Sequence, residues 1–370
     1  MTYKEVLFFV GKCLTINYEK HNKNIVENEL KTNHIDWDAV VKLSTAHYVF
    51  PALYCNLKRA GFLPYLPEEL VNYMVHITDL NRARNQQIIA QAQEINALLV
   101  ANGITPIFLK GTGNLLEGLY EDVGERMVGD IDFIFSKEDY TKTIEVLSNF
   151  GYTKVHDTTY DYPMFKHYPR LQKKGNIAAV EIHKELLLET YADEFHYNLV
   201  QKDPQLLGGV YVLSYENQLS LSIIAKQIND AGFYYKNIAL RNAYDVFLLS
   251  KKTHAKTAFT KFDKLKTPLE CFLASCYEIF NKPTSLEYLS SKETEAYLEV
   301  FNKQILNDGF RKKQYKTTKN KLFLKSRLKI VYKSLFDKAH RTWLLKRITD
   351  KSWQQEKLVQ LGLKKPKPNA

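Results

Sequence analysis

The 370-residue chain is 45% hydrophobic and 13% aromatic, which is enough apolar material for two or three packed units with a sizeable core. No run approaches the roughly 18–20 apolar residues of a membrane span, and Val6–Val10, preceded by Lys4 and Glu5, is too short for a secretory signal, so a cytoplasmic globular protein is expected. The net charge of +11 is unevenly placed: residues 311–370 hold 19 Lys and Arg against Asp337, Asp350 and Glu356, a net of +16, which leaves 33 basic and 38 acidic residues, a net of −5, in residues 1–310.

Helical signals run through the first hundred residues. They begin with Thr2–Leu14 and continue with Asp36–Leu57, whose apolar positions are Val40, Val41, Leu43, Ala46, Val49 and Phe50. A turn with Gly61, Pro64 and Pro67 precedes a long helix from Glu68 to about Ala101, closed by Asn102-Gly103. The four cysteines, Cys13, Cys55, Cys271 and Cys276, are scattered and have no metal-site spacing, so buried reduced thiols are expected.

The pattern then changes to short apolar runs. Ile104–Leu109 reads as a strand, Gly111–Tyr120 as a short helix and Ile131–Phe135 as a second strand, after which Ser136-Lys-Glu-Asp139 reads as a capping box opening a helix to about Phe150. Further strands are predicted at Tyr152–His156, around Asp161–Tyr168 and at Ile177–His183, the last preceded by a turn at Lys173-Lys-Gly-Asn176. Helices return from Lys184 to about Leu306, including Tyr215–Asn229, Asn237–Lys251 and Leu269–Phe280, and a basic helical segment ends in a frayed Lys364-Lys-Pro-Lys-Pro-Asn-Ala tail. The implied fold class is α+β: a small mixed sheet flanked by helical regions, divided into 1–102, a core at 103–195, a helical region at 196–310 and the basic segment 311–370.

The chemistry concentrates in Gly-Asp130-Ile-Asp132-Phe. In an extended strand, Asp130 and Asp132 leave the same face while Ile131, Phe133 and Phe135 face the core. Two carboxylates held so close repel each other and call for a cation between them, and hard oxygen ligands select magnesium or manganese. A third anionic ligand on a neighbouring strand would complete a site for two ions, and Glu181 in Val-Glu181-Ile-His183 is the best candidate, with His183 on the same face as a possible accessory group. Lys110-Gly111-Thr112-Gly113 follows a strand and opens a helix, so its backbone N–H groups can hold phosphate, while Lys110 and Arg126 are the nearest cations in sequence for a triphosphate. No zinc-hydrolase, serine-hydrolase or kinase motif occurs.

Phe-Leu-Lys110-Gly111, Leu119-Tyr120, Arg126, Gly-Asp130-Ile-Asp132-Phe and Val-Glu181-Ile-His183 together resemble a bacterial nucleotidyltransferase family, a branch of the DNA polymerase β-like superfamily. Asp36-Trp37-Asp38-Ala39 with His47 and Pro51 is similar to that family's N-terminal helical region, and Leu240-Arg241-Asn-Ala-Tyr-Asp245 to its later helix, so the resemblance covers roughly residues 30–255. It implies that Asp130, Asp132 and Glu181 bind metal, that Gly111 and Thr112 form the turn at the nucleotide phosphates, that Lys110 and Arg126 are cationic site positions, and that Arg241 and Asp245 are accessory. Thr112 stands where the superfamily usually has serine, and Gln227 and Asn229 stand where the family often has histidine.

These features together describe a magnesium- or manganese-dependent nucleotidyltransferase that takes an NTP donor and an acceptor hydroxyl of unidentified kind: a sugar, a small metabolite, a peptide or an RNA end. The alternative from another class is a non-catalytic nucleotide- or RNA-binding module that keeps the same fold. For the basic segment two readings stand side by side: a packed amphipathic helix with its lysines in water, or a surface for a polyanion such as RNA or anionic lipid.

Overall fold

The computed structural model describes residues 1–32, 34–155 and 165–360. By contacts the chain divides into two compact units, Met1–Val155 with Lys166–Lys312, and His156–Phe165 with Lys313–Ala370.

The first unit is built on a seven-stranded mixed sheet. Its strands are β1 (Ile107–Phe108), β2 (Asp130–Ile134), β3 (Thr153–Lys154), β4 (Leu171–Gln172), β5 (Ala179–His183), β6 (Gln205–Leu207) and β7 (Val210–Val212), in the order β3-β4-β5-β2-β1-β7-β6. The central pair β2–β5 is parallel, as is β1–β7, and the remaining pairings are antiparallel. Ile131, Phe133, Val180 and Ile182 are fully buried on the apolar face of the central pair, so the period-two alternation of the sequence survives in the fold.

The helices cap and stop as their sequences dictate. Tyr3–Cys13 opens with a capping box in which Thr2 accepts from the Glu5 N–H and Glu5 accepts from the Thr2 N–H. The long helix runs Glu68–Ala101, as predicted. The single predicted helix over Asp36–Leu57 is instead two, Trp37–Ala46 and Phe50–Ala60, separated by Tyr48 at φ 57°. Pro51 explains the break, since it has no N–H to continue the first helix and sits naturally in the first turn of the second.

Other expectations are corrected. Ser136 makes no side-chain cap; a 3₁₀ turn at Lys137–Asp139 precedes the helix Tyr140–Asn149, so the capping box does not form. Residues 184–306 are not helical throughout, because β6 and β7 form a hairpin turning at Gly208-Gly209, both at positive φ, and extend the sheet beyond β1. The predicted helix Tyr215–Asn229 is α-helical over Tyr215–Ile224 and ends in a π-turn at Ala225–Asn229. The first half of the strand expected around Asp161–Tyr168 lies outside the described residues, its described part makes a single bridge from His167 to His183, and the Lys364–Ala370 tail lies wholly outside. All four cysteines are buried and unpaired, and burial pushes the Cys271 thiol up to about 12.

The second unit contains the later part of a helix spanning Asp308–Phe336, then Lys338–Thr349 and Lys351–Gln360. In this unit Leu324, Leu335 and Leu345 are each at least 60% exposed, while Trp343 and His340 are buried. Lys321, Lys325, Lys329 and Lys333 recur every four residues and so line one side of the helix Asp308–Phe336. Among the described residues no helix is long and apolar enough to cross a membrane.

Gly11 marks a tight helix contact of the first unit, since a Cβ there would lie 2.7 Å from the Ile279 carbonyl oxygen. Gly11→Ala is therefore expected to force apart the helices Tyr3–Cys13 and Lys266–Ile279 and to lower stability by about 1–3 kcal/mol. Thermal unfolding checks this, and an unchanged melting temperature would show that the two helices can separate freely.

Candidate active site

The site is set by strand register. β5 runs parallel to β2 with Asp132 opposite Glu181, Asp130 opposite Ala179 and Ile134 opposite His183. Asp132 and Glu181 are thereby placed side by side, 6% and 7% exposed, with Asp130 more open at the start of β2. Among the described residues the oxygen or nitrogen donors of Asp132, Glu181 and His183 lie within 4.8 Å of one another and form a group able to hold a metal ion.

Buried carboxylates at this density need compensation, and three side chains supply it. The Lys110 ammonium pairs with Asp132 Oδ1 and lies 3.8 Å from Glu181 Oε2. His183 Nε2 is 2.8 Å from the same Asp132 oxygen. The Arg170 guanidinium bridges Glu181 Oε1 at 2.8 Å and Asp130 Oδ2 at 3.1 Å.

The two aspartates respond in opposite directions. Burial disfavours ionised Asp132, but Lys110 and His183 together outweigh it and hold that carboxyl well below the usual range. Burial also raises Asp130, and Glu181 and Asp132 add to the effect, so Arg170 only partly offsets it. His183 is pushed down by burial and by Lys110 against the pull of Asp132, so the neutral ring donates its Nε2 hydrogen to an ionised carboxylate.

The turn before β2's neighbour carries the residues expected at the phosphates. The helix Lys110–Glu117 begins straight after β1, with Lys110 in the left-handed region at φ 52°. Thr112 Oγ1 donates to the Asp130 carbonyl at 2.8 Å and ties this turn to β2. Gly113 has no room for a side chain, because a Cβ would sit 2.8 Å from the Phe108 carbonyl oxygen. At Gly111 the nearest neighbours would be Val128 at 3.0 Å and the Arg126 guanidinium at 3.6 Å.

Arg126 and Asp245 are brought together, away from the paired aspartates. Arg126 makes a buried bidentate pair with Asp245 at 2.8–3.0 Å, and Tyr120 donates to Asp245 Oδ1 at 2.7 Å. Arg241, one turn before Asp245 on the helix Leu240–Ser250, lies with its guanidinium 4.9 Å from the Tyr48 ring centre.

Sequence reasoning missed Arg170 and Lys166. Both were legible in principle: the hairpin about Lys173–Asn176 pairs Leu171 with Val180, so counting one residue further puts Arg170 opposite Glu181. The Lys166 carbonyl accepts the N–H groups of Lys184 and Glu185, which fixes the lysine at the end of β5. It feels Lys110, Asp132 and Glu181, and burial and Lys110 push its ammonium pKa down.

The family model for uncharacterised nucleotidyltransferases matches residues 33–280, about two thirds of the chain. The chain belongs to that family. Neither curated proteins nor solved structures give a significant match. Membership supports nucleotidyl transfer as the general chemistry of this nucleotidyltransferase, and the matched span includes β2, β5, the Lys110 turn and the Arg126–Asp245 pair.

The two aspartates should differ in a stability measurement on metal-free protein. Asp132 has a folded-state pKa below its unfolded value, so its contribution is present above about pH 4 and is lost as pH falls through the folded value; Asp130 is raised, so its contribution is present below about pH 4 and is lost as pH rises. At pH 7, Asp132→Asn is expected to destabilise by about 3 kcal/mol, because Lys110 loses its closer carboxylate and keeps only Glu181 at 3.8 Å, whereas Asp130→Asn leaves the melting temperature equal or higher. Equal losses in both variants would refute the contrast.

Proposed function

We propose that this nucleotidyltransferase moves a nucleoside monophosphate from an NTP to an acceptor hydroxyl and releases pyrophosphate. The observation that carries the reading is the parallel β2–β5 register, which sets Asp132 beside Glu181 and next to Asp130, within reach of the Lys110 turn. The donor set suits a hard divalent cation, and the Lys110 ammonium between Asp132 and Glu181 already stands where positive charge is wanted. Asp130, Asp132 and Glu181 would hold magnesium or manganese, with His183 beside them. When bound, such ions neutralise phosphate charge and make the acceptor hydroxyl more acidic.

The chain's own groups do the rest. The backbone N–H groups of the Gly111–Thr112 turn face phosphate oxygens, and Lys110 releases Asp132 to reach the phosphates. Arg126, locked by Asp245, supports this turn from beneath Gly111. The acceptor oxygen forms its bond to the α-phosphorus as the bond to the β-phosphate oxygen breaks, pyrophosphate leaves with that electron pair, and the carboxylate of Glu181 takes the acceptor's proton.

Incubation of the full chain with labelled NTPs, magnesium or manganese, and cell extract should give a labelled acceptor detectable by mass, lost on adding EDTA. Asp132→Asn should reduce transfer by at least about a hundredfold, and Glu181→Gln should lose rate while keeping most nucleotide affinity. Nucleotide binding that is equal in EDTA, with no labelled product from any NTP, would falsify transfer and leave a binding module.

A further inference from the structure

Beside the carboxylate centre is a group of cations that the chain's own carboxylates do not neutralise. Arg241 Nε is buried and has no hydrogen-bond partner. Its natural partner one turn along the same helix, Asp245, is taken by Arg126 and Tyr120. Among the described residues Lys166, Lys226 and Arg241 form no ion pair, and the one carboxylate that all three feel is Asp230, which is exposed and bonded to none of them.

The backbone holds these cations in place at some strain. Lys226 lies in the π-turn Ala225–Asn229, and its carbonyl is packed so tightly that a Cβ on Gly232 would meet it at 2.6 Å. Tyr48, whose ring faces Arg241, and Ala231, next to Asp230, both have non-glycine left-handed backbone, at φ 57° and 55°. The His47 ring Nδ1 accepts the Leu240 N–H at 3.1 Å and so fixes the start of the Arg241 helix. π-turns and strained residues gather where a fold is shaped for a ligand.

The cations also repel one another. Burial and Arg126 push Arg241 down, burial with Arg241 does the same to Lys226, and burial with Lys226 holds His47 near about 4. Unpaired charges out of water are unfavourable unless an anion completes them. Lys166 interacts with Lys110, Asp132 and Glu181 of the carboxylate centre and also with Asp230, the carboxylate it shares with Lys226 and Arg241, so it links the two groups.

We propose that Arg241, Lys226 and Lys166 form a polyphosphate subsite that takes the β- and γ-phosphates of the nucleotide and retains the departing pyrophosphate. This rests on the nucleotidyl-transfer reading for the identity of the ligand, since the α-phosphorus must lie at the carboxylates and the terminal phosphates beyond them. Three cations share the influence of Asp230, and a ligand of three to four negative charges would match them in number as well as sign.

The test is calorimetric binding of inorganic tripolyphosphate to the full chain without divalent metal, which isolates this subsite from the carboxylate centre. Arg241→Gln and Lys226→Gln are each expected to weaken binding at least tenfold, while Arg241→Lys retains most of it. The ligand-free melting temperature of Arg241→Gln should be unchanged or higher, because no ion pair is lost and the relief of buried charge offsets the lost contact with the Tyr48 ring; if that variant does not fold, Lys226→Gln and Lys166→Gln carry the same expectation. Wild-type affinity in these variants overturns the subsite, and so does an unchanged KM for the NTP, while transfer itself would stand. Binding that depends on Arg241 and that no NTP displaces overturns the assignment to the nucleotide and points to a phosphate on the acceptor. Binding that NTP displaces in a protein with no transfer activity supports the subsite and refutes only the transfer.

Discussion

Three carboxylates on two adjacent parallel strands, in a setting largely removed from water, are the constraint around which this protein is organised. The β2–β5 register puts Asp132 directly beside Glu181, and no rearrangement of side chains alone can separate them. Coulomb repulsion at such separations is several kcal/mol even at an effective dielectric of about 20, so the surroundings must supply positive charge. Lys110 and Arg170 do so from two different segments, and neutral His183 adds a hydrogen bond to Asp132. The same three carboxylates are the donor set proposed above for a divalent cation.

The loop between the Lys110 helix and β2 must be equally fixed for this to work, and the long helix Glu68–Ala101 fixes it. Asn81 donates to the Gly124 carbonyl, Asn85 to the carbonyls of Val123 and Arg126, and Arg82 grips Asp122 with two parallel hydrogen bonds. On the other side Arg59 and Tyr244 both bond to buried Glu125. Polar side chains so deeply placed are tolerated because they satisfy loop carbonyls that would otherwise be buried without partners. The result is a loop without regular structure that is held as firmly as a strand, with Arg126 aimed at Asp245.

Asp245 shows how one pairing decides several others. Because it is committed to Arg126 and Tyr120, it cannot serve Arg241 one helical turn away. Charge left over at one position thus follows from structural demand at another. A chain whose first 310 residues carry a net of −5 nevertheless gathers surplus positive charge at this spot. Net charge therefore says little about the sign of the potential at a site.

Much of the centre is legible in the sequence because local rules govern it. Alternation fixes that Asp130 and Asp132 share a face and that Ile131 and Phe133 are buried, the glycines mark where the backbone must come close, and Pro51 marks the helix start that splits Asp36–Leu57 in two. The Gly208-Gly209 turn of the missed hairpin was also there to be read. The sequence by itself determined which residues form strands and helices and which faces are apolar, because those depend on neighbours two to four positions away. Only the tertiary structure decided that Glu181 lies beside Asp132, that Arg170 bridges to Asp130, that Arg126 belongs to Asp245 and that Arg241 is left without an ion pair. Those outcomes depend on strand register and on competition for partners between segments far apart in the chain, and no local pattern encodes either.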